Sequence, residues 1–281
     1  MLGSDIFLTL LILGLAVLIE LAAIRMMLPM LVQGGAIRRN FCNDEIPVAG
    51  GLTFLVAVLA TFIILHFFNL FDIGGVEFYL IAVMGMAFLG FIDDMLGQRD
   101  SLGFRGHFSL LFTKGRLTTG ALKALGGGMI AIYVAMVYSA DMGELVVNFL
   151  LVALFTNSMN LFDLRPGRCI KAFLLIFFPL LLFQGELFLA FLPLVGAVLA
   201  FFPGDLKAKV MMGDTGSNVL GVTLGVMAVW GLSLSVRIGL VILLVALHIL
   251  TERYSLTKII EANQGLSWFD SLGRSDNRSG Q

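Results

Sequence analysis

The chain has 281 residues, of which 59% are hydrophobic and 13% charged, with a net charge of −1 and a mean hydropathy of +0.99. A soluble domain carries about 25% charged residues, so this composition excludes an ordinary soluble globular protein and points to a polytopic membrane protein. The net charge alone says nothing about nucleic acid, the distribution of charge says more, and no nucleic-acid partner is expected.

A bilayer core of roughly 30 Å needs about 20 apolar residues per helix. Apolar runs that meet or approach this length lie near 5–33, 47–70, 76–96, 117–139, 144–163, 169–184, 187–203, 217–233 and 235–251. The reading is therefore all-α, with about nine transmembrane helices. The sixth and seventh are short and separated only by "QGE". With the N-terminus outside and the C-terminus inside, 17 of the 18 Lys and Arg fall on the inner side and only Arg237 outside. The first run lacks a cleavage site and reads as a retained span. Cys42 and Cys169 both fall on the inner side, so free thiols are expected. The expected organisation is a transmembrane catalytic domain over residues 1–251 and a cytoplasmic or interfacial tail over 252–281. In that tail Leu256, Ile259, Ile260, Leu266, Trp268, Phe269 and Leu272 give a short amphipathic pattern. It suits either the inner headgroup region or packing on the cytoplasmic loops.

The polar clusters, in chain order, gather on the inner face. Glu20 is the exception, deep in the first span, where it can pair at a helix interface. "IPVAGGLTF" opens the second span with Pro47 near a helix start, and Gly50-Gly51 read on their own as close helix packing. "FLGFIDDMLG" places Asp93 and Asp94 at the inner end of the third span, as a solvated helix end or as a magnesium or acid/base site. The inner loop that follows carries His107, Arg105, Lys114, Arg116 and Lys123; it reads as a positive-inside loop or a binder of anionic headgroups.

"NSMNLFDLRPGR" ends the fifth run. Asn157, Asn160 and Asp163 are spaced three apart and share a helix face. Arg165 and Arg168 add forked donors suited to phosphate, or simply positive-inside charge. In "VMMGDTGSNVLG" Asp214 stands at a helix start whose free N–H groups can bind an anion while the carboxylate takes the accompanying metal. His248 and Glu252 are one helical step apart at the inner end of the ninth run.

"PVAGG", "DDMLG", "NSMNLFD" and "MGDTGSNVLG", in this order and all inner, resemble the polyprenyl-phosphate N-acetylhexosamine-1-phosphate transferases, the family of MurNAc-pentapeptide and GlcNAc-1-phosphate transferases. The resemblance implies an enzyme of the bacterial cytoplasmic membrane, active on its cytoplasmic face. It would transfer a sugar-1-phosphate, GlcNAc-like in preference, from a UDP-sugar to polyprenyl phosphate with release of UMP. It further implies Mg2+ (Mn2+ as substitute) at Asp214 with Asn160, and a catalytic set of Asp93, Asp94 and Asp214. The implied substrate-binding set is Asn157, Asn160, Asp163, Arg165, Arg168, Gly50, Gly51 and His107, and a homodimer is compatible with the family. A relative that only binds lipid or nucleotide is the alternative, with a transporter third. The chain departs from the family pattern, which runs N-x-x-N-x-x-D-G-x-D-G. Leu164 and Pro166 replace a Gly and an Asp, the late His-rich motif and a final span are missing, and "CNDE" stands where a basic residue usually precedes Pro-Gly-Gly.

Overall fold

The protein is described by a computed structural model covering residues 2–72, 74–97 and 117–274. Every expected apolar run is a helix: α1 Leu2–Gln33, α2 Leu52–Phe67, α3 Glu77–Leu96, α4 Thr119–Tyr138, α5 Met142–Phe162, α6 Arg168–Leu181, α7 Phe188–Leu206, α8 Gly213–Gly231 and α9 Leu234–Arg253. In lipid the backbone must bond to itself, and helices are how apolar runs of this length do so. Six of the nine, α1, α3, α4, α5, α7 and α9, are long and apolar enough to cross a membrane. The other three fall short of the expected nine spans for physical reasons. α2 has 16 residues and α6 has 14, while α8 opens with the polar "GDTGSN". Two short tail helices follow, α10 Leu256–Ala262 and α11 Gln264–Ser271.

Helix α8 is the axis of the bundle. It packs against α3, α5 and α6, with lesser contacts to α2 and α4, and nearly all of its residues are buried. α1 packs on α7 and α2 at one side, and α9 packs on α5 at the other. Along α9 Arg237 and Leu244 are buried while Ile242, Leu243 and Ile249 stay exposed, as expected of a lipid-facing helix. Arg237, the one cation expected outside, donates to Asn148 Oδ1 and Glu144 Oε1, each at 2.6 Å. It braces α9 to α5. Glu20 meets Thr53 Oγ1 at 2.5 Å and ties α1 to α2, the helix-interface role expected of it.

The all-α expectation needs one correction. A two-stranded antiparallel hairpin, β1 Ile37–Arg39 and β2 Glu45–Pro47, links α1 to α2, with Arg38 opposite Ile46. Asn40 closes its turn by accepting the Cys42 and Asp44 N–H groups on Oδ1. After β2 the chain turns through Ala49, at a positive φ, and Gly50–Gly51, so α2 starts at Leu52 and not at Pro47. Both Cys42 and Cys169 are free thiols. In the tail Leu256 and Ile260 pack inward, while Leu266, Trp268 and Leu272 remain exposed.

Candidate active site

Four elements meet at one end of the bundle: the last turn of α3, the first turns of α4 and α8, and the last turn of α5. Their meeting is built by backbone pairing. Gly50 N–H donates to Met211 O at 3.0 Å, Gly51 N–H to Met212 O at 2.9 Å, and Met211 N–H returns to Pro47 O at 2.8 Å. Gly51 lies against the Gly216 backbone, where a Cβ would come within 2.2 Å. This corrects the binding role expected of Gly50 and Gly51. Their backbone is occupied in seating the start of α8, and no side chain fits there.

The paired aspartates of α3 separate in function. Asp94 is buried and accepts from Asp214 N–H (3.0 Å), Thr215 N–H (2.9 Å) and Thr215 Oγ1 (2.6 Å). Both of its oxygens therefore cap α8 from a neighbouring helix, satisfying N–H groups that a helix start leaves free. Asp93 instead lies within hydrogen-bonding reach of the Asp214 carboxyl. Asp214 Oδ2 accepts from Lys123 Nζ at 2.6 Å, both side chains about one-quarter exposed.

Asn160 comes next to this group. One end of its amide is 2.5 Å from Ser217 Oγ, and the other is 2.9 Å from Asn218 Oδ1. The same amide lies 3.3 Å from both Lys123 Nζ and Asp214 Oδ1. The rest of the site frame comes from Arg38 on β1, whose guanidinium donates to the Asp94 carbonyl at 2.5 Å. This cation approaches the end of α3 from the strand beside the one where sequence comparison looks for a basic residue.

One turn beyond Asn160, Asp163 opens into a cleft lined also by Asn40, Phe41, Arg165, Pro166 and Asp205. Burial, together with the Asp205, Asp214 and Asp94 carboxyls, pushes the Asp163 carboxyl well above the usual carboxylate range. Asp163 thus lines the cleft and lies within electrostatic reach of Asp94 and Asp214. Arg165 lies over the Phe41 ring at 5.2 Å, a cation–π arrangement at the cleft wall.

Of the expected site residues, Asp93, Asn160 and Asp214 come together and Asp163 and Arg165 share the adjoining cleft. Asn157 is exposed one turn back along α5. Arg168 is a correction: its side chain is buried and its fork face is taken by the Asp270 carboxylate at 2.8 and 2.9 Å, so it is turned to the tail and not presented to a phosphate. His107 lies outside the described residues. His248 bonds through Nδ1 to the Leu244 carbonyl of its own helix, and Glu252 is exposed. Lys123 is expected from sequence only as one of four inner-loop cations, for positive-inside charge or an anionic headgroup, and not as a partner of Asp214. The signal for it was present, because it sits inside the apolar run 117–139, deeper than a positive-inside role requires.

The donor set suits a hard divalent cation. Two adjacent carboxyls and an amide give oxygen ligands, and Mg2+ is typically held by one or two carboxylates plus substrate phosphates. Among the described residues no group of three or more His, Cys, Asp and Glu forms a complete cage. Substrate oxygens would have to complete the shell.

Residues 76–232 match glycosyl transferase family 4. A phospho-N-acetylmuramoyl-pentapeptide-transferase of Carboxydothermus hydrogenoformans is 30% identical over 239 residues, covering 78% of this chain and 70% of the relative. The enzyme of the same name from Clostridium beijerinckii is 28% identical over 195 residues, covering 65% and 59%. That from Halalkalibacterium halodurans is 30% identical over 201 residues, covering 65% and 60%. With over half of the chain in the family match, and with Asp93, Asn160 and Asp214 assembled within it, this chain belongs to glycosyl transferase family 4, among the polyprenyl-phosphate hexosamine-1-phosphate transferases.

Proposed function

We propose that the protein transfers a sugar-1-phosphate, GlcNAc-like in preference, from a UDP-sugar to a polyprenyl phosphate at the cytoplasmic face of a bacterial inner membrane. An oxygen of the lipid phosphate attacks the sugar-bearing phosphorus. The bond from that phosphorus to the UMP oxygen breaks, UMP leaves, and the sugar keeps its own phosphate. The observation that carries this reading is the Asp93–Asp214 carboxyl pair with Lys123 and Asn160 at the cation-rich end of the bundle.

Asp93, Asp214 and Asn160 are the residues that would hold Mg2+. When bound, the ion neutralises diphosphate charge and stabilises the charge that develops on transfer. Lys123 holds a positive charge on Asp214 in its absence and is within reach of the same phosphates. Asp94 acts at one remove, by fixing the α8 N-terminus that carries Asp214. The Phe41–Arg165–Asp163–Asp205 cleft supplies an aromatic face and hydrogen-bond acceptors for the nucleoside, and the apolar outer surface of the helices leaves the lipid acceptor free to arrive from the inner leaflet.

A second reading concerns the sugar. The relatives named above carry the name phospho-N-acetylmuramoyl-pentapeptide-transferase, which favours MurNAc-pentapeptide as donor sugar. The altered loop at Leu164–Arg168 and the missing His-rich motif favour a different one. The test is UMP release by purified protein with polyprenyl phosphate, Mg2+ and a panel of UDP-sugars, including both candidates. Turnover of UDP-GlcNAc above UDP-MurNAc-pentapeptide supports the first reading, and the reverse order supports the second. No UMP from any donor beside an active relative refutes transferase activity and leaves a binding role, which an intact cellular phenotype in Asp214→Ala would support.

A further inference from the structure

The loop that departs from the family pattern and the tail that ends the chain hold one another. Arg168 forks onto Asp270 through Nε (2.8 Å) and NH2 (2.9 Å), while its NH1 donates to Thr257 Oγ1 at 3.0 Å. Lys171 Nζ donates to the Phe269 and Asp270 carbonyls at 3.0 and 2.7 Å. Arg274 donates to the Pro166 carbonyl from Nε (3.2 Å) and NH2 (2.9 Å) and also meets Asp270. Arg165 faces Glu261 at 3.9 Å. Three residues of the loop, 165, 166 and 168, are thus each gripped from α10, α11 or the chain just after them.

The grip reaches the cleft through the loop backbone. Pro166 O is held by Arg274 on one side, and the next amide, Gly167 N–H, donates to Asp205 Oδ2 at 2.9 Å on the other. Asp205, Pro166, Arg165 and Asp163 all line the cleft. Gly167 and Gly273 both have positive φ, +74° and +73°, and both close on the side chain of Leu206 at the end of α7. Loop and tail therefore rest on one shared floor. A buried bidentate Arg–carboxylate pair fixes both position and orientation, so the loop has little freedom while Asp270 stays in place.

We propose that the C-terminal tail is a working part of the nucleotide site, with Arg168 and Asp270 as positioning residues that hold the Leu164–Gly167 wall of the cleft in its binding geometry. Arg165, Pro166 and Arg168 of the altered loop form a socket for Thr257, Glu261, Asp270 and Arg274 of the tail. The inference rests on the cleft being the nucleotide site, as proposed above.

Two readouts test it in the full-length protein. Hydrogen exchange of the 163–168 amides needs no substrate. Initial rates of UMP release with the UDP-sugar that turns over separate KM from kcat. A loop that holds its geometry about a tenth of the time weakens apparent affinity about tenfold. Asp270→Asn is therefore expected to speed exchange in the loop and raise KM about tenfold with kcat little changed, and Asp270→Glu to restore both in part. Gly273→Ala, strained at its positive φ and crowded by Leu206, should act in the same direction without removing a charge. Unchanged exchange in both Asp270→Asn and Gly273→Ala overturns the proposal, and so does faster exchange with KM unchanged. A wild-type protein that turns over no UDP-sugar sinks the proposed function instead. Exchange of the 163–168 amides with and without 1 mM UMP then decides the tail's role: protection by UMP that Asp270→Asn abolishes upholds it, and no UMP protection overturns it.

Discussion

Asp93 and Asp94 are adjacent in sequence, and their replacement by Asn should have opposite consequences. In Asp94→Asn the best orientation keeps an oxygen toward Thr215, whose N–H and hydroxyl both donate to Oδ2. The new NH2 then faces the Asp214 N–H, 3.0 Å away, where Oδ1 had accepted. One charge-assisted hydrogen bond is lost and a buried N–H is left without an acceptor, which together cost about 2–4 kcal/mol. By the scaling for chains of this size, the unfolding midpoint falls by on the order of 5–10 °C. In Asp93→Asn the amide can donate to the Asp214 carboxyl, so the expected cost is under about 1 kcal/mol. Its turnover, in contrast, should fall by at least about 100-fold, because a carboxylate aimed at the reacting phosphates is gone. Cys169 is buried and Cys42 exposed. In a Cys42→Ser background, a thiol-reactive dye on heating in detergent therefore reports opening of the fold. Equal midpoints for Asp94→Asn and wild type, or a larger loss in Asp93→Asn, would refute the division of labour between the two acids.

Replacing Lys123 with Met should lower UMP release by roughly 100- to 1,000-fold, the scale for removing one preorganised charge-stabilising group; a variant within threefold of wild type excludes Lys123 from the reaction. Chelation with EDTA should abolish turnover and added Mg2+ restore it, since the ion would neutralise the diphosphate charge at the carboxyl pair; retained activity after chelation rules out metal dependence. Burial alone would raise the Asp270 carboxyl, but hydrogen bonds and charge from Arg168, with Arg274, hold it below the usual range. The tail's docking is therefore fully present above the unfolded carboxyl pKa of about 3.9 and lost as pH falls through the lower folded value. Exchange of the 256–274 amides, corrected for intrinsic rate, should show protection at pH 5 and its loss toward pH 3; loss already at pH 5 would contradict the sign.

The helices were legible because each is an unbroken apolar run, and lipid leaves such runs only one regular structure. Their lengths were less so: whether α2, α6 or α8 spans a bilayer depends on neighbours, and an apolar window cannot report those. The hairpin escaped notice because its strands have three residues each, too few for an alternation to register. Asp93, Asn160 and Asp214 were readable from motif order, since short conserved-type clusters are local in sequence. The roles of Asp94 and Lys123 were not, because each is defined by contact with α8, about 90 to 120 positions away. Arg168 gave the clearest misreading. A forked cation beside a phosphate site suggests a phosphate ligand, yet its partner Asp270 is 102 positions downstream in a tail with no pattern to mark it as a base for arginine.

The central position of α8 has a consequence for how the chain enters a membrane. Its opening "GDTGSN" makes it a poor candidate to partition into lipid alone. All the helices it packs on most closely, α3, α5 and α6, with α2 and α4, come before it in the chain. When α8 leaves the ribosome, the segments that contact it through Asp94, Asn160 and Gly50–Gly51 have already been made. Synthesis from the N-terminus thus supplies the template first and the least lipid-soluble helix afterwards, so the same helix that carries Asp214 reaches the interior without ever needing lipid as its solvent.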